Sequence, residues 1–214
     1  MSLIEFLPRL LEGLVVSLQL TAISVVCGYV LGLLLALGTS NRNGWVKYPC
    51  LVIVELGRGL PALVVLYMVY FGLPAFGLLF ENFWAAAVAL TYTVSAYSSE
   101  IMRSGIQSVA KGQQEAADAL GLTRSVTFMR VILPQGLRSA IPALMGLAIM
   151  SFQGTSLAYT ISVNELMSQG YQVSMITFDY LGTYALTGLI YAVIALPVIW
   201  LVSYSERRMA RGAA

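Results

Sequence analysis

Five apolar runs of about twenty residues set the terms for this chain: residues 12–37, 51–73, 83–103, 139–159 and 180–204. An α-helix of that length crosses the roughly 30 Å hydrocarbon layer of a bilayer at about 1.5 Å per residue. Lipid offers backbone N–H and C=O groups no partners, so each run must satisfy its own, and an all-α membrane protein is the fold expected. Only 10% of the 214 residues are charged and 58% are apolar, against about a quarter charged in a soluble domain. The first residues lack a basic stretch followed by a small-residue cleavage site, so the first run is expected to direct insertion itself. One transmembrane domain over residues 1–214 follows.

The interval between the third and fourth runs is different. Residues 108–142 carry Lys111, Glu115, Asp118, Arg124, Arg130 and Arg138, and each such charge costs roughly 2.5–3.5 kcal/mol at a bilayer centre. This stretch is expected to fold in water. Strong helix formers at 113–120 predict a short helix with Glu115 in its first turn, where a carboxylate suits the helix dipole. Gly121 is placed to end it in the left-handed conformation. Thr123 then reads as the cap of a second helix, 124–133, stopped by Pro134. Ala116 and Ala117 leave one side of the first helix almost bare, which suits insertion into a groove on another protein; an ordinary helical hairpin accounts for the same residues.

Within the runs, polar residues are the informative ones. Residues 1–11 read as a short surface-lying segment. Gly28, Gly32 and Ala36 recur every four residues, a spacing that lets helices approach closely in lipid. Residues 39–49 read as a polar turn. Glu55 and Arg58 lie three apart, able to neutralise each other on one helix face, and Pro61 with Gly57 and Gly59 is expected to break the helix there. That segment reads either as a buried ion pair bracing a broken helix or as a device shaping a gate. The third run ends in Tyr97, Glu100 and Arg103, polar groups suited to a water-filled path or to a local ion pair. Gln153, Thr155 and Ser156 in the fourth run need partners in lipid, and serve either interhelical hydrogen bonding or a substrate wall. Residues 161–179 read as a loop without Lys or Arg, and the last run ends in a basic tail from Arg207.

If the five runs alternate, Arg42, Lys47, Arg103 and the basic residues of the lobe and tail fall on one side, with Arg9 alone on the other. The positive-inside rule then puts the lobe and C-terminus in the cytoplasm and the N-terminus outside. No G-x-x-x-x-G-K-S/T phosphate loop is present, so the chain is not read as an ATP-binding subunit. It has no histidine, and no nucleophile–base pair or metal-ligand cluster is evident; no catalytic or metal residue is expected, nor any role with nucleic acid. Cys27 and Cys50 suggest no disulfide framework.

The lobe also resembles a known pattern. Glu115, Ala116 and Ala117, three residues, Gly121, nine residues, then Val131, Leu133 and Pro134 are similar to the EAA motif of ABC importer permeases, with Val131 in place of Ile. Glu55, Arg58, Gly59 and Pro61 resemble that family's E-x-x-R-G-T-P, with Leu60 for Thr. The run from Ala96 to Gln113 resembles its polar-amino-acid branch. Gln153, Thr155, Ser156 and Leu157 resemble the K/Q-D-T-S-L segment of that branch, with Gly154 for Asp, and Gln at 153 looks most like glutamate/aspartate permeases.

The resemblance implies a type I importer permease in a bacterial cytoplasmic membrane. It would work with a second permease, a dimer of cytoplasmic ATPases that bind ATP and Mg, and an external amino-acid-binding protein. Glu115, Ala116, Ala117, Gly121 and Pro134 would contact the ATPase. Tyr97, Glu100, Gln153, Thr155 and Ser156 would line the substrate path, and Glu55, Arg58 and Pro61 would shape the gate. An ion-gradient-driven transporter or channel, or a non-transporting membrane scaffold, are the other classes the residues allow.

Overall fold

A computed structural model describes the backbone of residues 3–212 and the side chains of residues 5–204. Helix α1, Leu7–Thr39, is a single rod. Of the segment 1–11, residues 7–11 therefore belong to this rod and are not a separate surface segment: Leu10 is fully buried, and Pro8 sits in the first turn, where its missing N–H costs nothing; residues 1 and 2 lie outside the described residues. Helix α2, Gly44–Gly59, is capped by the Asn43 side chain, which accepts from the Trp45 amide at 3.0 Å. The expected turn over 39–49 is thus confined to about four residues, and Pro49 lies inside the helix.

The expected break at Pro61 is present. Chain direction changes by 110° between α2 and the segment Ala62–Phe76, which opens with α3, Ala62–Tyr67, and continues through a π turn and a 3₁₀ turn. Leu60 and Pro61 adopt extended ψ values of 139° and 135°.

Helix α4, Asn82–Gln107, is the centre of the bundle, packed against α1, α2 and α7. Ala85, Ala86, Ala89 and Ala96 are buried on it, and small residues opposite allow the approach. A Cβ placed on Gly28 would stand 2.6 Å from Val94 Cγ1, and one on Gly32 would stand 2.9 Å from the Ser95 carbonyl oxygen and closer still to Ser98 Oγ. The four-residue spacing of Gly28, Gly32 and Ala36 is a packing face, as expected.

Helix α5, Lys111–Ala119, follows, then α6, Arg124–Thr127. Pro134 does not stop that second helix. A π turn over Phe128–Ile132 leads directly into α7, Leu133–Gly154, so the helical path runs from Arg124 to Ile161. Pro134 occupies the first turn of α7, where the register shift of the π turn removes the need for its amide. Thr123 stands at the cap position of α6, but its side chain makes no capping bond.

The reading of 161–179 as a loop is corrected too. After the 3₁₀ turn Thr155–Ile161 comes α8, Leu166–Thr177, folded back beneath α1 and against α9, Tyr180–Gly212. Leu10, Leu166 and Val173 form the core between them.

Among the described residues, three helices are long and apolar enough to cross a membrane (Leu7–Thr39, Arg124–Ile161 and Tyr180–Tyr204), and the bent pair Gly44–Gly59 with Ala62–Phe76 makes a fourth if it is one span. Helix α4, 26 residues long, does not join them on composition, because its second half is polar. Its neighbours shield it, so its surface need not be apolar.

Candidate functional site

The lobe presents α5 at one end of the bundle. Glu115 and Ala116 are exposed, whereas Ala117 is 3% exposed and turned against its own chain. The bare side of α5 is therefore shared: Ala117 packs inward and Ala116 faces out. Starting at Lys111, the helix places Glu115 beyond the first turn, which removes the expected dipole role. Gly121 has φ +72°, which it adopts without a Cβ penalty, as expected for a left-handed helix end; its amide donates to the Asp118 carbonyl at 3.0 Å and the Leu122 amide to the Ala117 carbonyl at 3.1 Å. Gln135 Nε2 donates to Gln113 Oε1 at 3.2 Å, tying α5 to the start of α7 beside the exposed Pro134.

At the same end, α1, α2 and α4 enclose a polar cleft of about 410 Å³ that includes Lys47, Glu55, Arg58, Glu100 and Arg103. Arg58 lies 3.6 Å from Glu55 and 4.0 Å from Glu100, and Arg103 Nε donates to Glu100 Oε2 at 3.0 Å. The Glu55–Arg58 pair is not buried; the Glu55 side chain is 62% exposed. What sequence spacing left as two local i,i+3 pairs is one network joining α2 to α4. Tyr97 adds to it by donating to the Arg58 carbonyl at 3.2 Å, one of the carbonyls left free where α2 ends.

The remaining expected path residues are not brought to this cleft. Gln153 is exposed, Thr155 is fully buried and donates to the Phe152 carbonyl at 2.7 Å, and Ser156 donates to the Gln153 carbonyl at 2.8 Å. Both hydroxyls thus satisfy their own helix. Among the described residues no group of three His, Cys, Asp or Glu is placed to hold a metal.

One ionisable residue was not expected. Glu165 has no exposed surface and caps α8, accepting from the Met167 and Ser168 amides, each at 2.8 Å. Tyr191 of α9 donates to it at 3.0 Å and Ser17 of α1 at 3.3 Å. Burial pushes the Glu165 carboxyl above its ordinary value, opposed by the two amide bonds and the hydroxyls. Glutamate is a poor cap by residue preference, and Ser17 and Tyr191 lie in apolar runs far away in sequence, so no local signal announced the cluster.

Comparison with known proteins agrees with this architecture. Residues 28–211 match the family described as the binding-protein-dependent transport system inner membrane component. The chain is 37% identical over 188 residues to a probable amino-acid ABC transporter permease protein of Bacillus subtilis, covering 88% of this chain and 83% of that one. It is 34% identical over 207 residues to the arginine transport system permease protein ArtQ of the same organism (95% and 93% covered). It is 36% identical over 225 residues to the glutamate/aspartate import permease protein GltK of Escherichia coli (98% and 97%). A crystal structure of an amino acid ABC transporter with histidines superposes with a TM-score of 0.90 at 34% identity, covering 96% of each chain. With its all-helical type I importer fold, the chain belongs to the family of binding-protein-dependent transport system inner membrane components.

Proposed function

We propose that this chain is the translocating subunit of an ATP-driven importer for polar amino acids, working beside a second permease and receiving substrate from an external binding protein. ATP and Mg belong to the partner ATPases in this reading, and the chain itself needs no cofactor. Five spans cross a bacterial cytoplasmic membrane, α4 among them, with the N-terminus outside and the lobe and C-terminus in the cytoplasm. The observation that carries the proposal is α5: a short, exposed, charged helix at the end where basic residues gather, ended by a left-handed Gly121 and held to α7 through Gln113 and Gln135. Closure of the ATPases would push on Glu115, Ala116 and Gly121. The displacement would pass through the π turn into α7 and so to Gln153, Thr155 and Ser156. On the other side of α4, the Glu55–Arg58–Glu100 network would set how far α2 can part from α4.

Within that class, Gln153 alone points to glutamate or aspartate. Relatives named for arginine, L-cystine and glutamate/aspartate lie at 34%, 34% and 36% identity, so overall similarity does not rank the substrates. The coupling reading is tested by purifying the tagged chain in mild detergent from its native membrane. A nucleotide-binding subunit should accompany the wild type and be lost with Glu115→Arg. Recovery of the chain without any ATPase, in complexes that stay intact, would remove the proposal.

A further inference from the structure

Two routes join the short helix α5 to the long helix α7. The covalent one runs through Gly121 in the left-handed conformation, then α6, then the π turn Phe128–Ile132. Both ends of that route are soft. Glycine has several backbone wells of similar energy, and a π turn holds one residue more than the α-helical ladder needs. A displacement of α5 passed along the chain alone would be partly absorbed before it reached α7.

The second route is a single side chain. Gln135 Nε2 donates to the Val131 carbonyl at 2.9 Å and to Gln113 Oε1 at 3.2 Å. Among the described residues no other side-chain hydrogen bond leaves α5; the bond from Gln114 to Asp118 stays within it. The orientation of the Gln135 amide follows from its partners. A backbone carbonyl only accepts, so the NH₂ must face Val131, and its second hydrogen is the one offered to Gln113. Val131 belongs to the π turn and Gln135 to α7. The same amide therefore braces the soft turn and reaches across it to α5.

Helix α7 is gripped immediately behind this point. A Cβ on Gly136 would stand 2.5 Å from Ile106 Cα, and one on Gly105 would stand 2.4 Å from the Gly136 carbonyl oxygen. Ser139 Oγ lies 3.2 Å from Ser108 Oγ and donates to the Gly105 carbonyl at 3.3 Å. One residue, about 1.5 Å of helix, separates Gln135 from this crossing. A movement of α5 received at Gln135 is thus applied where α7 and α4 meet backbone to backbone.

We infer that Gln135 is a positioning residue for coupling: its NH₂ holds α5 to α7 past the π turn, with Gln113 as the acceptor. The inference rests on the ATP-driven importer reading and deepens it. The bond has a direction, and the two glutamines are not interchangeable. Gln113→Glu keeps an acceptor and places its charge in the first turn of α5, where the helix dipole favours it. Gln135→Glu keeps the shape but has no hydrogen to donate at neutral pH, and it sets a carboxylate against two oxygens.

The test uses native cells lacking the gene, complemented with tagged wild type, either single variant, or the double variant Gln113→Lys with Gln135→Glu, which reverses the donor. Three quantities are measured: uptake of a radiolabelled mixture of the protein amino acids, the ATPase subunit that co-purifies in mild detergent, and the ATP hydrolysis of that complex. With Gln135→Glu, uptake per co-purified ATPase should fall roughly 2- to 30-fold, while the amount of ATPase and its hydrolysis stay within about twofold of wild type. Gln113→Glu should match wild type within about twofold in all three, and the double variant should recover most of the loss. Unchanged uptake with Gln135→Glu, equal losses in the two single variants, no recovery in the double variant, or a loss that only follows the amount of ATPase overturns the role of Gln135 alone. Wild type that restores no uptake, or that brings down no ATPase, overturns the importer reading and this inference with it.

Discussion

Replacing Glu165 separates two things the carboxylate does at once: it accepts four hydrogen bonds, and it places a negative charge where water does not reach. Glu165→Ala removes both. The α8 cap is worth about 0.5–2 kcal/mol, and the Tyr191 hydroxyl left unpaired adds about 1–3 kcal/mol, together roughly 2–5 kcal/mol. For a chain of this size, at about 2–4 °C per kcal/mol, the melting temperature should drop by roughly 4–20 °C. Glu165→Gln behaves differently. Its oxygen can serve one backbone amide, but its NH₂ must face another fixed N–H, which costs about 1–3 kcal/mol. Against this, it removes a buried charge that burial already disfavours, so the two effects offset and the variant should melt within a few degrees of wild type. The pH trend carries the sign. With a folded pKa above the unfolded one, the group's stabilising contribution is full below the unfolded value and is lost as pH rises through the folded value. Wild type should therefore gain on Glu165→Gln as pH falls through the carboxylate range. Thermal unfolding in detergent at several pH values measures all three chains. An Ala variant melting with wild type, or a gap that moves the other way with pH, would show that the capped carboxylate does not hold α8 in place.

Two further outcomes follow from the backbone. Gly121→Val forces a β-branched residue to φ +72°, a cost of about 1–2 kcal/mol, and nothing within 4 Å of an added Cβ obstructs it; the protein should still insert, while ATP hydrolysis proceeds without uptake in the reconstituted importer. Gly32→Val drives its side chain into Ser98 and the Ser95 carbonyl, so α1 and α4 must separate, and the yield of folded protein by size-exclusion chromatography should fall several-fold, whereas Gly112→Ala, in open space, should leave it unchanged.

How much of this was legible in the chain depended on whether the cause was local. Gly28, Gly32 and Ala36 mark a contact face because small residues are what close helix packing needs, and Pro61, following Gly57 and Gly59, marks a break through the local backbone preferences of those three residues. Gly121 was legible for the same reason. Helix α8 was not: its polar Ser168, Gln169 and Gln172 look like loop chemistry, yet they face Arg9 and the Glu165 cap within one fold. Pro134 misled because a proline stops a helix only when its missing amide is needed, and the π turn at Phe128–Ile132 removes that need. The union of Arg58 with Glu100 was invisible because 42 positions separate them and each already had a local partner that explained its charge.

The two sides of α4 are built to opposite mechanical purposes. On one side the helical path runs unbroken from Arg124 to Ile161, beginning beside α5 and passing Gly136, where an added Cβ would stand 2.5 Å from Ile106 Cα. Contact that close moves as a unit, since interiors packed at this density deform little. On the other side α2 and α3 meet at 110° with only Leu60 and Pro61 between them, and the charges that join α2 to α4 are half-exposed, so water can replace them at little cost. On the proposed coupling, a push arriving at α5 would shift α7 and α4 together, and the relative motion would be taken up where α2 leaves α4. On the proposed importer reading, the Arg58 network, more than the hydroxyls of Thr155 and Ser156, would be the place where a displacement of the lobe becomes an opening.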